Sequence, residues 1–509
     1  MTAYDEFAQR MAQINDLCCV INLLSWDART QMPELGTETR GHQITTVAGL
    51  AQELFTDTQT LQMIEAAASE VQGEDPDSYR VRAVSQAYEA YKMSSRVPLD
   101  LVKQINAVKT PGHAVWAEAR AKNDFNLFAP YLERIFELSR RFADAIGYDE
   151  HPYDALLARY EPGMTAARLK TLFAELKAGV TPILQRVVSS PEPRADFLLE
   201  RDYPEDAQRD FILEMVQKFG YDLKRGRLDK TVHPFEISFT RQDVRITTRF
   251  HRNYLPAAMF GAFHEAGHAI YEQNADPALT RTALTTDLLD LYAVAGATYA
   301  LHESQSRLWE NLVGRSRVFW QNHFARLQQY FPQALADVDA EAFYRAVNRV
   351  NPSFIRVEAD ELTYNFHVML RVEIEMGLMD GSLKVKDLPE VWNAKMQEYL
   401  GVVPPNNTLG CLQDVHWAEA MVGAFCTYTV GNVMSAQFFK AARQQTPGLD
   451  RALAHGEYGP LLKWLSANIY RHGRAFSRDE LLMRATGSPL TTTPYLEYLE
   501  TKYFDLFPG

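Results

Sequence analysis

Residues His264, Glu265, Ala266, Gly267 and His268 read HEAGH, with the two histidines four apart. On a helix that spacing puts both imidazoles on one face, where they can grip one divalent ion. Zinc takes imidazole nitrogen at about 2.0–2.1 Å. Glu265 is displaced around the helix, so its carboxylate can reach a water beside the metal rather than the metal itself. It would take that water's proton and pass it to a departing amine. With 13 histidines in 509 residues, chance would produce this pattern on the order of 0.02 times per chain. The bland alternative is two surface histidines on an amphipathic helix.

The chemistry works only if the segment is helical. Pro256 suits a first turn. Ala257, Ala258, Met259, Phe260, Ala262 and Phe263 follow with Gly261 as the lone breaker, so the helix is predicted to run to Glu272 or Gln273. Just before it, Phe235, Ile237 and Phe239 alternate with polar residues, as do Val244, Ile246 and Thr248. That period predicts a β-hairpin within His233–Phe250, turning near Arg241 and Gln242. A catalytic metal needs a third protein ligand and an open position. Spacing leaves three candidates on equal terms, Asp287, Asp290 and Glu303, the last in the strongly helical stretch Tyr299–Leu312.

Elsewhere the chain reads mostly as helix: about Asp5–Trp26, Arg80–Met93, Pro130–Ile146 and Ala166–Val187. In the third, Pro130 suits a first turn and Gly147 a C-cap. Ser189–Gln208, dense in proline and charge, reads as an ordered loop or subdomain border. No internal repeat is evident.

Composition narrows the class. Lys plus Arg number 52 against 65 Asp plus Glu, a net charge of −13. Wrapping nucleic acid calls for clustered cations, so no nucleic-acid partner is expected. Apolar residues at 46% are too many for disorder, and four cysteines make no disulfide framework. Cys18 and Cys19 read as buried small hydrophobes; Cys411 and Cys426 are too isolated for a metal pair. The apolar run Leu17–Trp26 is far short of the roughly 20 residues that span a bilayer, and the N-terminus lacks the pattern of a signal peptide. The expectation is a cytoplasmic chain with no membrane partner.

Several motifs stand in order: HPF at His233–Phe235, DVRIT at Asp243–Thr247, HEAGH, HESQ at His302–Gln305, IRVEAD at Ile355–Asp360 and GCLQDVHW at Gly410–Trp417. With LLSWD at Leu23–Asp27 and RYEPGMT at Arg159–Thr165 they cover the chain, which resembles the carboxypeptidase Taq family of metallocarboxypeptidases. The resemblance implies a mainly α fold: a large helical metallopeptidase with a deep substrate groove and a small β-sheet beside the HExxH helix. Residues 1–509 would form one peptidase domain, 1–210 giving one groove wall and 211–509 the metal and substrate motifs.

It also implies roles. Glu303 matches the third metal ligand beside His264 and His268, and Glu265 the general base. Arg356 matches the arginine that takes the substrate's terminal carboxylate, which a planar guanidinium can grip with two hydrogen bonds. On its residues alone, Arg356 with Glu358 and Asp360 would first read as a structural ion-pair cluster. His416 matches a donor to the scissile carbonyl or the terminal carboxylate, Tyr428 a second donor, and Arg245 a residue near the groove. Glu358 and Asp360 are candidates for orienting the ligand imidazoles. The implied activity is broad release of single C-terminal residues, proline disfavoured, by a homodimer using Zn²⁺, with Co²⁺ acceptable. The alternative is a related helical zinc oligopeptidase or a dipeptidase-type peptidase. Two departures stand out. The stretch Asn274–Tyr292 is longer than the family pattern, and GAFCTY carries Ala424 and Cys426 where the family tends to have an aromatic and a proline.

Overall fold

The computed structural model describes residues 1–190 and 196–508. These fall into two compact units, each built from three stretches of chain. The first comprises Met1–Ser95, Arg194–Val347 and Met434–Leu490; the second comprises Arg96–Pro193, Asn348–Val433 and Thr491–Gly509. Both are mainly helical.

In the first unit, the N-terminal helix spans Ala3–Thr30, with Thr2 and Asp5 closing a capping box. The sheet lies further along. Strand β1 is Gly226–Lys230, β2 Glu236–Thr240 and β3 Asp243–Thr248. β2 and β3 form the expected antiparallel hairpin, turning at Arg241 and Gln242. β1 pairs in parallel with β3, giving the order β1-β3-β2. In β1 only Leu228 is buried, so no alternation marked it in sequence. Phe235, Ile237 and Phe239 pack on Trp26 of the N-terminal helix.

The HEAGH helix spans Leu255–Gln273, close to the predicted limits. Met259, Phe260, Phe263, Ala266, Ala269 and Ile270 are all buried. A helix apolar all round is a core helix, so the metal motif is carried on a rigid element. The long stretch after it is ordered into two single 3₁₀ turns, Pro277–Leu279 and Ala283–Thr285, and a two-stranded ladder of Thr286–Asp287 with Tyr292–Ala293. Asn15 donates to Thr286 Oγ1 at 2.8 Å and Asn22 to the Ala293 carbonyl at 3.1 Å, fixing the stretch to the N-terminal helix.

The second unit includes helices Leu99–Lys122, Phe125–Ile146, Pro152–Tyr160, Ala166–Ser189, Tyr364–Asp380 and Leu388–Leu400. One expectation needs correction. The helix read as starting at Pro130 begins at Phe125, where Asp124 accepts from the Asn126 N–H. An N-cap outranks a proline as a start signal, and Pro130 sits in the second turn. Gly147 closes the helix, at φ 88°. Of Ser189–Gln208, residues 191–195 lie outside the described residues. Among those described, no helix is long and apolar enough to cross a membrane. All four cysteines are free.

Candidate functional site

In the first unit three donor atoms converge. His264 Nε2 and His268 Nε2 each lie 3.4 Å from Glu303 Oε2. One ligand atom from each residue falls within 4.8 Å of the others. Glu303 is on the helix Tyr299–Arg307, which packs against the HEAGH helix. Two imidazoles and a carboxylate are a donor set that suits zinc and its neighbours. Asp287 is committed elsewhere: it caps the turn at Leu289 and pairs with Arg474 at 3.2 Å.

The protein's own charges favour a cation at this point. Burial opposes charge on Glu303, but His264 and Arg307 overcome it and hold the carboxyl well below its usual range. Burial likewise opposes charge on His264, and Glu303 overcomes it, holding that ring above the usual histidine range. His268 goes the other way, lowered by burial and by His302, so its ring is neutral. Burial lifts Glu265 to about 7, against the pull of His264. The residues present therefore fit a divalent metal.

The supports of the ligands were read less well from sequence. Glu358 is exposed, and Asp360 accepts from the N–H groups of Asn351, Leu362 and Thr363. Both belong to the second unit and neither orients a ligand histidine. Glu310 does, with Oε2 3.0 Å from His264 Nδ1. Glu303, Arg307 and Glu310 share one helix face, and Arg307 bridges the two carboxylates at 2.7 and 3.3 Å. That i, i+4, i+7 pattern was the available signal. The helix widens into a π segment over Leu308–Gly314, a distortion common at functional sites. His302 stacks on His268 with centroids 4.5 Å apart and 12° between planes, and Glu272 holds its Nε2 at 2.9 Å. Glu272 is itself fixed by the Ala295 N–H and by Ser238.

Gly267 lets the helices that carry His264 and Glu303 meet. A Cβ there would lie 2.6 Å from both Gln305 O and Ser306 Cα. Backbone cannot give way as a side chain can. Gly267→Ala is therefore expected to cost about 1–3 kcal/mol in stability and to weaken metal binding by separating Glu303 from the histidines. Metal titration read with thermal unfolding checks this, and wild-type affinity would contradict it.

In the second unit Arg356, His416 and Tyr428 gather around Asp414. Arg356 Nε and Nη2 donate to Asp414 Oδ1 at 3.0 and 2.9 Å, and Nη1 to Tyr364 at 2.9 Å. Arg371 holds Asp414 Oδ2 at 2.6 Å. Gln413 accepts from the Arg356 N–H at 2.8 Å, so the QD pair fixes both backbone and side chain of that arginine. His416 Nε2 lies 3.0 Å from the Tyr428 hydroxyl, and its ring stacks on Phe425 at 4.4 Å. Burial, then the charge of Arg356, push His416 down to about 3, so it is neutral. Its buried Nδ1 makes no hydrogen bond and faces Asp414 Oδ1 at 4.0 Å. Glu375, missed in sequence, anchors this loop by accepting from Trp417 Nε1 at 2.8 Å, the Gly423 N–H at 3.1 Å and Tyr153 at 2.5 Å. Arg245, in the first unit, is paired with Asp243 at 2.8 Å and lies over the Trp26 ring.

Comparison with known proteins gives a consistent result. A family model described as carboxypeptidase Taq (M32) metallopeptidase matches residues 6–503. Thermostable carboxypeptidase 1 of Thermus thermophilus is 40% identical over 515 residues, covering 99% of each chain. Carboxypeptidase 1 of Bacillus subtilis is 37% identical over 502 residues, covering 99% of this chain and 98% of its own. The crystal structure of an M32 carboxypeptidase from Deinococcus radiodurans superposes with a TM-score of 0.95 at 39% identity, covering 100% of both chains.

Proposed function

The chain belongs to the carboxypeptidase Taq family of metallopeptidases, and from that premise we propose that it releases one residue at a time from peptides with a free C-terminus. It is a metallocarboxypeptidase that uses a divalent metal. The finer reading rests on one observation above the rest: the donor atoms of His264, His268 and Glu303 converge beside Glu265. In this reading those three residues hold the metal, with zinc the native ion and cobalt an acceptable one. When bound, the metal polarises the scissile carbonyl and the attacking water.

Glu265 takes the proton as the water oxygen adds to the carbonyl carbon. It returns the proton to the amine nitrogen as the C–N bond breaks. Arg356 grips the terminal carboxylate with N–H groups not spent on Asp414 and Tyr364. His416 and Tyr428, whose Nε2 and hydroxyl lie 3.0 Å apart, donate to the oxygen on which charge develops. Arg245, held by Asp243, borders the peptide path. Selection by the terminal carboxylate rather than by side chain gives broad specificity. A C-terminal proline is disfavoured because its tertiary amide has no N–H to present. We further propose a cytoplasmic homodimer.

A peptide and its C-terminally amidated twin test this reading. The free acid is expected to lose single residues in sequence, and the amide to be cleaved at least 100-fold more slowly, a difference of about 2.7 kcal/mol. Equal cleavage of both, or release of dipeptides, would favour an oligopeptidase or dipeptidase-type enzyme instead. Chelation should abolish all turnover, and Zn²⁺ or Co²⁺ should restore it.

A further inference from the structure

Arg29 stands in the last turn of the helix Ala3–Thr30, inside the metal-bearing unit. Its guanidinium carbon lies 3.4 Å above the centre of the Phe235 ring. The next residue, Glu236, donates its backbone N–H to the Glu265 carboxyl. The Phe235 ring is thus a shelf that holds Arg29 where its charge is felt by Glu265. A guanidinium lying on a ring keeps its N–H groups in its own plane, uncovered by the ring and able to take a carboxylate with two hydrogen bonds.

Its neighbours on this face are already neutralised. Arg227 and Arg245 lie over Trp26, one turn earlier on the same helix, and are paired with Asp229 and Asp243. Arg29 is solvent-exposed, and no carboxylate among the described residues lies within ion-pair distance of it. Although the residue as a whole is exposed, packing of the guanidinium against its surroundings, the Phe235 ring among them, lowers its pKa against the opposing pull of Tyr292 and then Glu265. A partly dehydrated cation without a partner attracts an anion.

We propose that Arg29 is a specificity-determining residue that binds an acidic side chain of the substrate upstream of the scissile bond, at the penultimate position. The assignment rests on the function proposed above. There the terminal carboxylate belongs to Arg356, so an anion for Arg29 must come from another part of the peptide. The acyl side of the scissile bond is the side attacked with the help of Glu265, and Arg29 stands beside that residue.

The test uses the metal-loaded enzyme and peptides that differ only by Glu or Gln at the last, penultimate or antepenultimate position. The wild-type enzyme is expected to favour penultimate Glu over Gln by about five- to tenfold in kcat/KM, mainly through KM. In Arg29→Gln the ratio falls to about one. In Arg29→Glu it inverts, and penultimate Lys becomes preferred. A wild-type ratio near one, a ratio unchanged in Arg29→Gln, or a preference attached to the last residue overturns the assignment. Free and amidated forms of the Gln peptide report on the terminal carboxylate separately. Their discrimination should survive in Arg29→Gln; if it is lost with the side-chain preference, Arg29 is not a separate subsite.

Discussion

Glu265→Gln should reduce kcat by roughly 10²–10⁴-fold while leaving the metal in place, because the substitution removes the base and keeps the shape. Glu265 is buried, with 7% of its surface exposed. An amide of the same size can still accept the Glu236 N–H. His264, His268 and Glu303 are untouched, so metal content should remain one ion per chain. The loss should fall equally on kcat and kcat/KM, the signature of an interaction made in the transition state rather than on binding. Steady-state kinetics paired with metal analysis checks this. A variant that keeps a tenth of wild-type turnover would remove Glu265 from the role of base, and one that loses the ion would show that the effect runs through the ligands.

Asp414→Asn is expected to destabilise the second unit by about 3–5 kcal/mol, the usual result of removing one member of a buried charge network. Arg356 and Arg371 both lean on this carboxylate, and their exposures are 5% and 0%. The neutral amide would leave two buried guanidiniums without their counter-charge. The pH dependence has a definite sign. Burial would raise the Asp414 carboxyl, but Arg356 and then Arg371 overcome it and hold it well below the usual range. Its contribution is therefore complete above the unfolded value of about 3.9 and fades as pH falls below that toward the folded value. Asp414→Asn should lack this component. Denaturant unfolding at neutral and acid pH measures both effects. The same variant should lose selectivity for free over amidated peptides, because Arg356 loses the partner that aims it. Wild-type stability with intact selectivity would show that Asp414 is dispensable to both.

Local pattern carried much of the fold. The apolar run from Ala257 to Phe263 predicted the helix that bears HEAGH, and the alternation from Phe235 to Thr248 predicted the hairpin before it. Both rest on periodicity within a few residues, which burial enforces. Pro130 shows the limit of the same method. A proline can open a helix, but Asp124 supplies a cap a turn and a half earlier, and the cap decides where the helix starts. Strand β1 was invisible because a short strand with one buried residue has no period to read; its pairing with β3 defines it.

The chemistry divides in a similar way. Two histidines four apart with a glutamate between them mark a candidate metal helix and base, because helical geometry alone sets which face each side chain takes. The carboxylate that joins the two histidines was different. Asp287, Asp290 and Glu303 were equal by spacing, since the path of the chain between two helices is not written in its length. The fold puts Glu303 3.4 Å from both imidazoles and turns Asp287 to Arg474. Glu310 on His264, Glu375 on Trp417, Asp414 between two arginines and Arg29 on Phe235 are also products of tertiary structure. Each joins residues that the sequence holds apart, and a buried charge or an aromatic face acquires its meaning only from the neighbour that packing brings to it.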